Sequence, residues 1–248
     1  MTVSLLLIGI GAFVMTLLGG FFAIKFRDKL HLVLGFSAGA VVAVAFFDLL
    51  PEALELGEGS IDAHGVMTIA ALGFVIYMIL DRIFIGHGHN DDNCENEHHN
   101  TVNSSRQLLG AGSLALHSFL DGVAIGFAFQ VSSAVGFVVT FAVLVHDFSD
   151  GINTVSMVLR NQGTKQKALR WVFIGAIAPT IGIFSTFLFT VQEKTLSIIL
   201  AIFCGFFLYI GASDLLPESH HKHPTYWTTI ATVLGMGVLY AVISIAGH

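Results

Sequence analysis

The chain has 248 residues, 54% of them hydrophobic and only 11% charged, with a mean hydropathy of +0.80. A soluble domain carries about 25% charged residues, so the composition excludes an ordinary water-soluble fold and points to an all-α polytopic membrane protein. The formal net charge of −6 leaves no basic surface for nucleic acid, and two cysteines, Cys94 and Cys204, exclude a disulfide framework.

Apolar blocks long enough to cross a hydrocarbon core of ~30 Å fall at 3–24, 30–50, 64–85, 107–130, 133–159, 168–191, 195–216 and 226–247. The expected fold is eight transmembrane helices, spans 1 to 8, forming one transmembrane domain over 1–248. Span 1 has no basic stretch before it and no small-residue cleavage pattern after it, and reads as a retained helix rather than a leader. Span 2 finishes on "DLLPE" (48–52), where Pro51 reads as a helix terminator. The segment 86–106 between spans 3 and 4 is rich in His and acid. It holds His87, His89, His98, His99 and Cys94 beside Asp91, Asp92, Glu95 and Glu97. That composition belongs to a disordered loop, in which the histidines are expected to bind metal weakly. Span 4 carries "HSFLDG" (117–122), span 5 carries "HDFSDG" (146–151), and only a short turn near Val131–Ser133 separates the two helices. Span 7 finishes on a second "DLLPE" (214–218), where Pro217 reads as a helix terminator in the same way, followed by "ESHHKH" (218–223).

Lysine and arginine orient the spans. The loops after spans 1, 3, 5 and 7, with their flanks, hold Lys25, Arg27, Lys29, Arg82, Arg106, Arg160, Lys165, Lys167, Arg170 and Lys222. The opposite side holds only Lys194. Those loops are expected to face the cytoplasm, with both termini extracytoplasmic, in the inner or plasma membrane of the cell. The two copies of "DLLPE" then lie at opposite faces, and the two histidine motifs lie on antiparallel neighbours. This is the pattern of an inverted-topology repeat with a site near the midplane.

His117 lies about ten residues into span 4, or roughly 15 Å at 1.5 Å per residue. Positions i and i+4 share a helix face, so His117 stacks with Asp121 and His146 with Asp150. Ser118 and Asp147 stand beside them. Ionisable residues at this depth cost several kcal/mol and face a cavity or a partner. Imidazole and carboxylate together suit Zn²⁺ and also Fe²⁺ or Mn²⁺. Gly122, Gly126 and Gly151 would let these helices approach their neighbours closely.

With "HSFLDG" and "HDFSDG" on spans 4 and 5, the chain resembles the ZIP (Zrt-, Irt-like protein) family of divalent metal transporters over essentially its whole length. The resemblance implies eight helices with outward termini, metal movement into the cytosol, and an elevator-like shift of one helix bundle against another. It implies that His117, Asp121, His146 and Asp150 form the primary metal site, and that Ser118 and Asp147 belong to a second, adjacent one. Two departures stand out. The carboxylates are Asp where the family usually has Glu, and Ala178 in "GAIAPTIG" stands where many bacterial-type members have Glu before the proline.

Around that site, Asp48 and Glu52 are candidates for the entrance, in an outer segment (48–62) with five acids and no Lys or Arg that would concentrate cations. Asp214, Glu218, His220, His221 and His223 are candidates for the exit. The expected partners are divalent metal ions and the lipid bilayer. Zn²⁺ is the leading cargo, beside Fe²⁺, Mn²⁺ and Cd²⁺, and no catalytic cofactor is expected. Two other readings share these residues: an intramembrane zinc-dependent hydrolase, and a proton-coupled carrier of another solute. The sequence leaves open whether the chain acts alone or as a homodimer.

Overall fold

The computed structural model describes residues 2–25, 30–85, 99–160, 163–220 and 226–246. The described residues are almost wholly helical, and eight of the helices are long and apolar enough to cross a membrane. Span 1 is α1 (Thr2–Lys25). Span 2 consists of α2 (Leu30–Val44), a π turn (Ala45–Leu49) and α3 (Leu50–Gly57). Spans 3 to 6 are α4 (Ala63–Ile85), α5 (His99–Val131), α6 (Ser133–Arg160) and α7 (Lys165–Ser185). Span 7 repeats the plan of span 2, with α8 (Glu193–Tyr209), a π turn (Ile210–Leu215) and α9 (Leu216–His220), and α10 (Tyr226–Ala246) is span 8.

The helices pack as two bundles. One contains α1, α5, α6 and α7; the other contains α2 with α3, α4, α8 with α9, and α10. The most apolar stretch of α6 is 72% buried, whereas that of α4 is 17% buried. The centre of the molecule therefore lies along α6, and α4 turns most of its surface outward. On α4 that outer face carries Met67, Leu72, Ile76, Ile79 and Ile83, as a helix facing lipid requires.

Glycine decides which helices touch most closely. A Cβ on Gly19 of α1 would strike the Phe148 carbonyl of α6, and one on Gly151 of α6 would strike the Thr16 carbonyl of α1. The same reciprocal arrangement joins Gly122 of α5 to Pro179 and Gly182 of α7 to Phe119. It joins Gly39 of α2 to Thr232 and Gly235 of α10 to Phe36, and likewise Gly73 of α4 to Ile202 and Gly205 of α8 to Ala70. All four interlocks lie inside a bundle. Exchanging α1 with α7, α2 with α8, α4 with α10 and α5 with α6 maps the set onto itself, and each exchange pairs helices of opposite direction. The last glycine of each histidine motif is thus a packing residue: it lets the helix that carries the motif lie backbone to backbone against α1 or α7.

Pro51 and Pro217 do not end their helices, contrary to the expectation from sequence. In each span the turn just ahead widens: the Leu50 N–H donates to the Ala45 carbonyl and the Leu216 N–H to the Gly211 carbonyl, five residues back in both. A proline lacks the N–H and clashes with the carbonyl four residues earlier. The π turn absorbs that conflict, so the helix resumes with Pro51 in its first turn and continues to Gly57. The Ala45 carbonyl also accepts the Cys204 thiol at 3.3 Å.

Candidate metal centre

α5 and α6 are joined through Ser132, whose side chain caps α6 by accepting the Val135 N–H at 3.1 Å. This short antiparallel turn brings the two motifs to one level. His117 Nε2 lies 3.2 Å from Asp121 Oδ2 on its own helix and 3.3 Å from Asp150 Oδ2 on α6. His146 Nε2 lies 3.3 Å from Asp121 Oδ2. The two imidazole rings are 5.7 Å apart, centre to centre. All four residues are buried, none more than 6% exposed. One donor atom from each falls within 4.8 Å of the other three, the only such group of His, Cys, Asp and Glu among the described residues.

The far side of each ring is also held. His146 Nδ1 sits 3.0 Å from the Ala142 carbonyl. A carbonyl only accepts, so Nδ1 carries a proton and Nε2 is the nitrogen turned to the carboxylates. His117 Nδ1 sits 2.9 Å from the Tyr77 hydroxyl of α4. Asp121 Oδ2, His146 Nε2 and Asp150 Oδ2 have no aligned hydrogen-bond donor despite being fully buried. Buried imidazole nitrogens and carboxylate oxygens this close, without aligned hydrogen bonds, have the chemistry of a cation site. A tetrahedral zinc site spaces its ligands about 3.4 Å apart, so a small contraction of the set would close it around an ion.

The profile of the ZIP zinc transporter family matches residues 1–111 and 87–245. The chain belongs to that family. It is 25% identical to a zinc transporter ZupT of Enterobacter sp. over 241 residues, 94% of this chain and 92% of that one. It is also 25% identical to a ZupT of Corynebacterium aurimucosum over 242 residues, 90% of each. A zinc transporter of Drosophila melanogaster, foi, is 26% identical over 129 residues; the match covers 52% of this chain and only 18% of that longer protein. Membership makes divalent metal transport the function of this ZIP chain.

The remaining residues that the sequence singles out lie in varied settings. Ser118 is buried and turns back to its own helix, donating to the Leu114 carbonyl at 3.1 Å. Asp147 is fully buried, and neither carboxylate oxygen has a hydrogen-bond partner. Ala178 is buried on α7. Asp48 is buried in the first π turn and Glu52 is half-buried in α3; neither joins the four-residue cluster. Asp214, the counterpart of Asp48, is exposed in the second π turn. It lines a cavity of about 40 Å³ with Tyr77, Asp81, His117 and Tyr209. Glu218 and His220 lie in α9 and His99 opens α5. His87, His89, His98, His221 and His223 fall outside the described residues.

Sequence reasoning missed Tyr77, Asp81 and Tyr209. The Tyr209 hydroxyl donates to Asp81 Oδ2 at 2.9 Å. A usable signal was present, since Tyr77 and Asp81 stand four apart, on one face of a largely apolar span.

Proposed function

We propose that His117, Asp121, His146 and Asp150 are the transit site through which this ZIP transporter passes divalent cations, Zn²⁺ foremost, from outside the cell to the cytosol. The observation that carries the reading is the convergence of two imidazole nitrogens and two carboxylate oxygens within 4.8 Å, deep between the central helices. Mixed nitrogen and oxygen ligation binds such ions without the near-permanent hold of thiolates. Fe²⁺, Mn²⁺ and Cd²⁺ are the further cargoes this donor set would accept.

Inward movement, into the cytosol of a cell whose plasma membrane holds the protein, is what the resemblance to the family implies; the lysine and arginine asymmetry supports an orientation with the loop after span 3 on the cytosolic side. On that orientation Asp48 and Glu52 stand toward the entrance. The cavity from His117 to Asp214 is the way out, with Glu218 and His220 of α9 following Asp214 along the chain. The glycine interlocks support an elevator-like cycle. They fasten helices only within a bundle, so the bundle holding the site can slide as a body against the other. Asp147, buried and unpartnered, is the donor a second cation would use, and Ala178 offers it none.

The test is flux. Purified protein in liposomes loaded with a zinc indicator is expected to admit Zn²⁺, and the variant His117→Ala with Asp121→Ala to admit none. Wild-type flux that survives the double substitution would overturn the assignment.

A further inference from the structure

The two histidines are secured differently. His146 is held by a carbonyl of its own helix, so its orientation travels with the helix. His117 is held by Tyr77, which belongs to the other bundle. There the Tyr77 ring packs against Phe206 at 5.1 Å and Tyr209 at 5.4 Å, both on α8, and meets the His117 ring edge-on at 5.9 Å. We propose that Tyr77 is a positioning residue for His117: its hydroxyl accepts the Nδ1–H, leaves Nε2 to the cation, and does so only while the two bundles stand as they do here. This inference rests on the transit-site reading.

Partners on the outer nitrogen of a ligating histidine fix its ring and raise its basicity, and losing one costs about 10–100-fold in metal affinity. Here the partner is attached to the body against which the site moves. Metal affinity is therefore coupled to bundle position: sliding the site away from α4 removes the hydroxyl from Nδ1 and weakens the hold on the ion. Tyr77 also lines the cavity toward Asp214, so the residue that orients His117 stands at the mouth of the route out.

The experiment compares equilibrium Zn²⁺ affinity in detergent, by competition with a chromogenic chelator, and KM and Vmax in liposomes. It uses wild type, Tyr77→Phe and Tyr240→Phe, each shown by its melting curve to be folded. Tyr77→Phe keeps the ring and deletes only the oxygen. It is expected to bind Zn²⁺ about tenfold more weakly, with KM raised in step and Vmax no lower than wild type. Tyr240→Phe deletes the same oxygen on α10, where the ring packs on Phe47, and is expected to stay within twofold. An unchanged affinity for Tyr77→Phe, a loss confined to Vmax, or an equal loss in Tyr240→Phe would each overturn the role of Tyr77. Failure of the wild-type protein to bind Zn²⁺ would instead overturn the transit site itself.

Discussion

Asp121 is the hinge of the four-residue cluster, and replacing it with asparagine tests the cluster at its most sensitive point. One oxygen, Oδ2, lies 3.2 Å from His117 and 3.3 Å from His146, so it spans both helices; Asp150 Oδ2 approaches His117 alone, at 3.3 Å. Asp121→Asn preserves shape and one ligating oxygen while removing a negative charge. The loss occurs where Asp150 is the only other carboxylate in the cluster. Truncating one member of a buried charge pair costs about 2–5 kcal/mol. The retained carbonyl oxygen places this change in the lower half, near 3 kcal/mol, which at ~1.4 kcal/mol per decade is on the order of a hundredfold in Kd. Asp150→Asn, with one histidine neighbour instead of two, should lose less. Chelator competition on purified protein gives both constants directly. A Kd for Asp121→Asn within about threefold of wild type, or a larger loss for Asp150→Asn, would refute the reasoning.

Three further outcomes follow from the same structure. Gly151→Ala would set a methyl 2.8 Å from the Gly20 nitrogen and 3.0 Å from the Thr16 carbonyl carbon. All of that is backbone, so α1 and α6 must part, at about 1–3 kcal/mol. A melting curve should show Tm lower by several degrees, while Gly112→Ala, with nothing within 4 Å of the new methyl, should not be destabilised. Zn²⁺ at 100 times its Kd adds about 2.7 kcal/mol. Chelator should therefore lower the Tm of the loaded protein, yet leave the Tm of the double variant His117→Ala with Asp121→Ala unmoved. Glu52→Gln should raise the KM for uptake at low ionic strength, and the difference should shrink near 0.1 M salt, where screening acts over about 10 Å. A salt-independent difference would remove the residue from any role in attracting cations.

How much was legible in the sequence depended on whether a signal was local. His117 with Asp121 and His146 with Asp150 could be paired on paper because a helix sets positions i and i+4 on one face, and Ser132 leaves the two helices no room to diverge. Tyr77 could not be found that way. It lies 40 residues before His117, and only the packing of α4 against α5 brings the two together. The prolines misled for a related reason. Pro51 and Pro217 break a helix by local rules, but a widened turn satisfies those rules at the cost of one residue, and the helix goes on. The two "DLLPE" copies likewise differ in ways no pentapeptide encodes: Asp48 is buried and Asp214 exposed. The first is covered by its neighbours, and the second opens on the cavity.

The π turns also constrain what the chain tolerates by way of length. Each is a helix carrying one surplus residue, and the wide turn takes that surplus up so that the helices on either side keep their phase. Deleting one residue from Ala45–Leu49 would leave ordinary winding in its place and return to Pro51 its clash with the carbonyl four residues earlier. The resulting kink would fall between the part of span 2 fastened beside the cluster, where Ser37 and Ser149 are 2.7 Å apart, and the acidic segment that follows Pro51. The same deletion in the exposed turn at 58–60 would leave that junction as it is. The number of residues ahead of Pro51 therefore matters beside their identity.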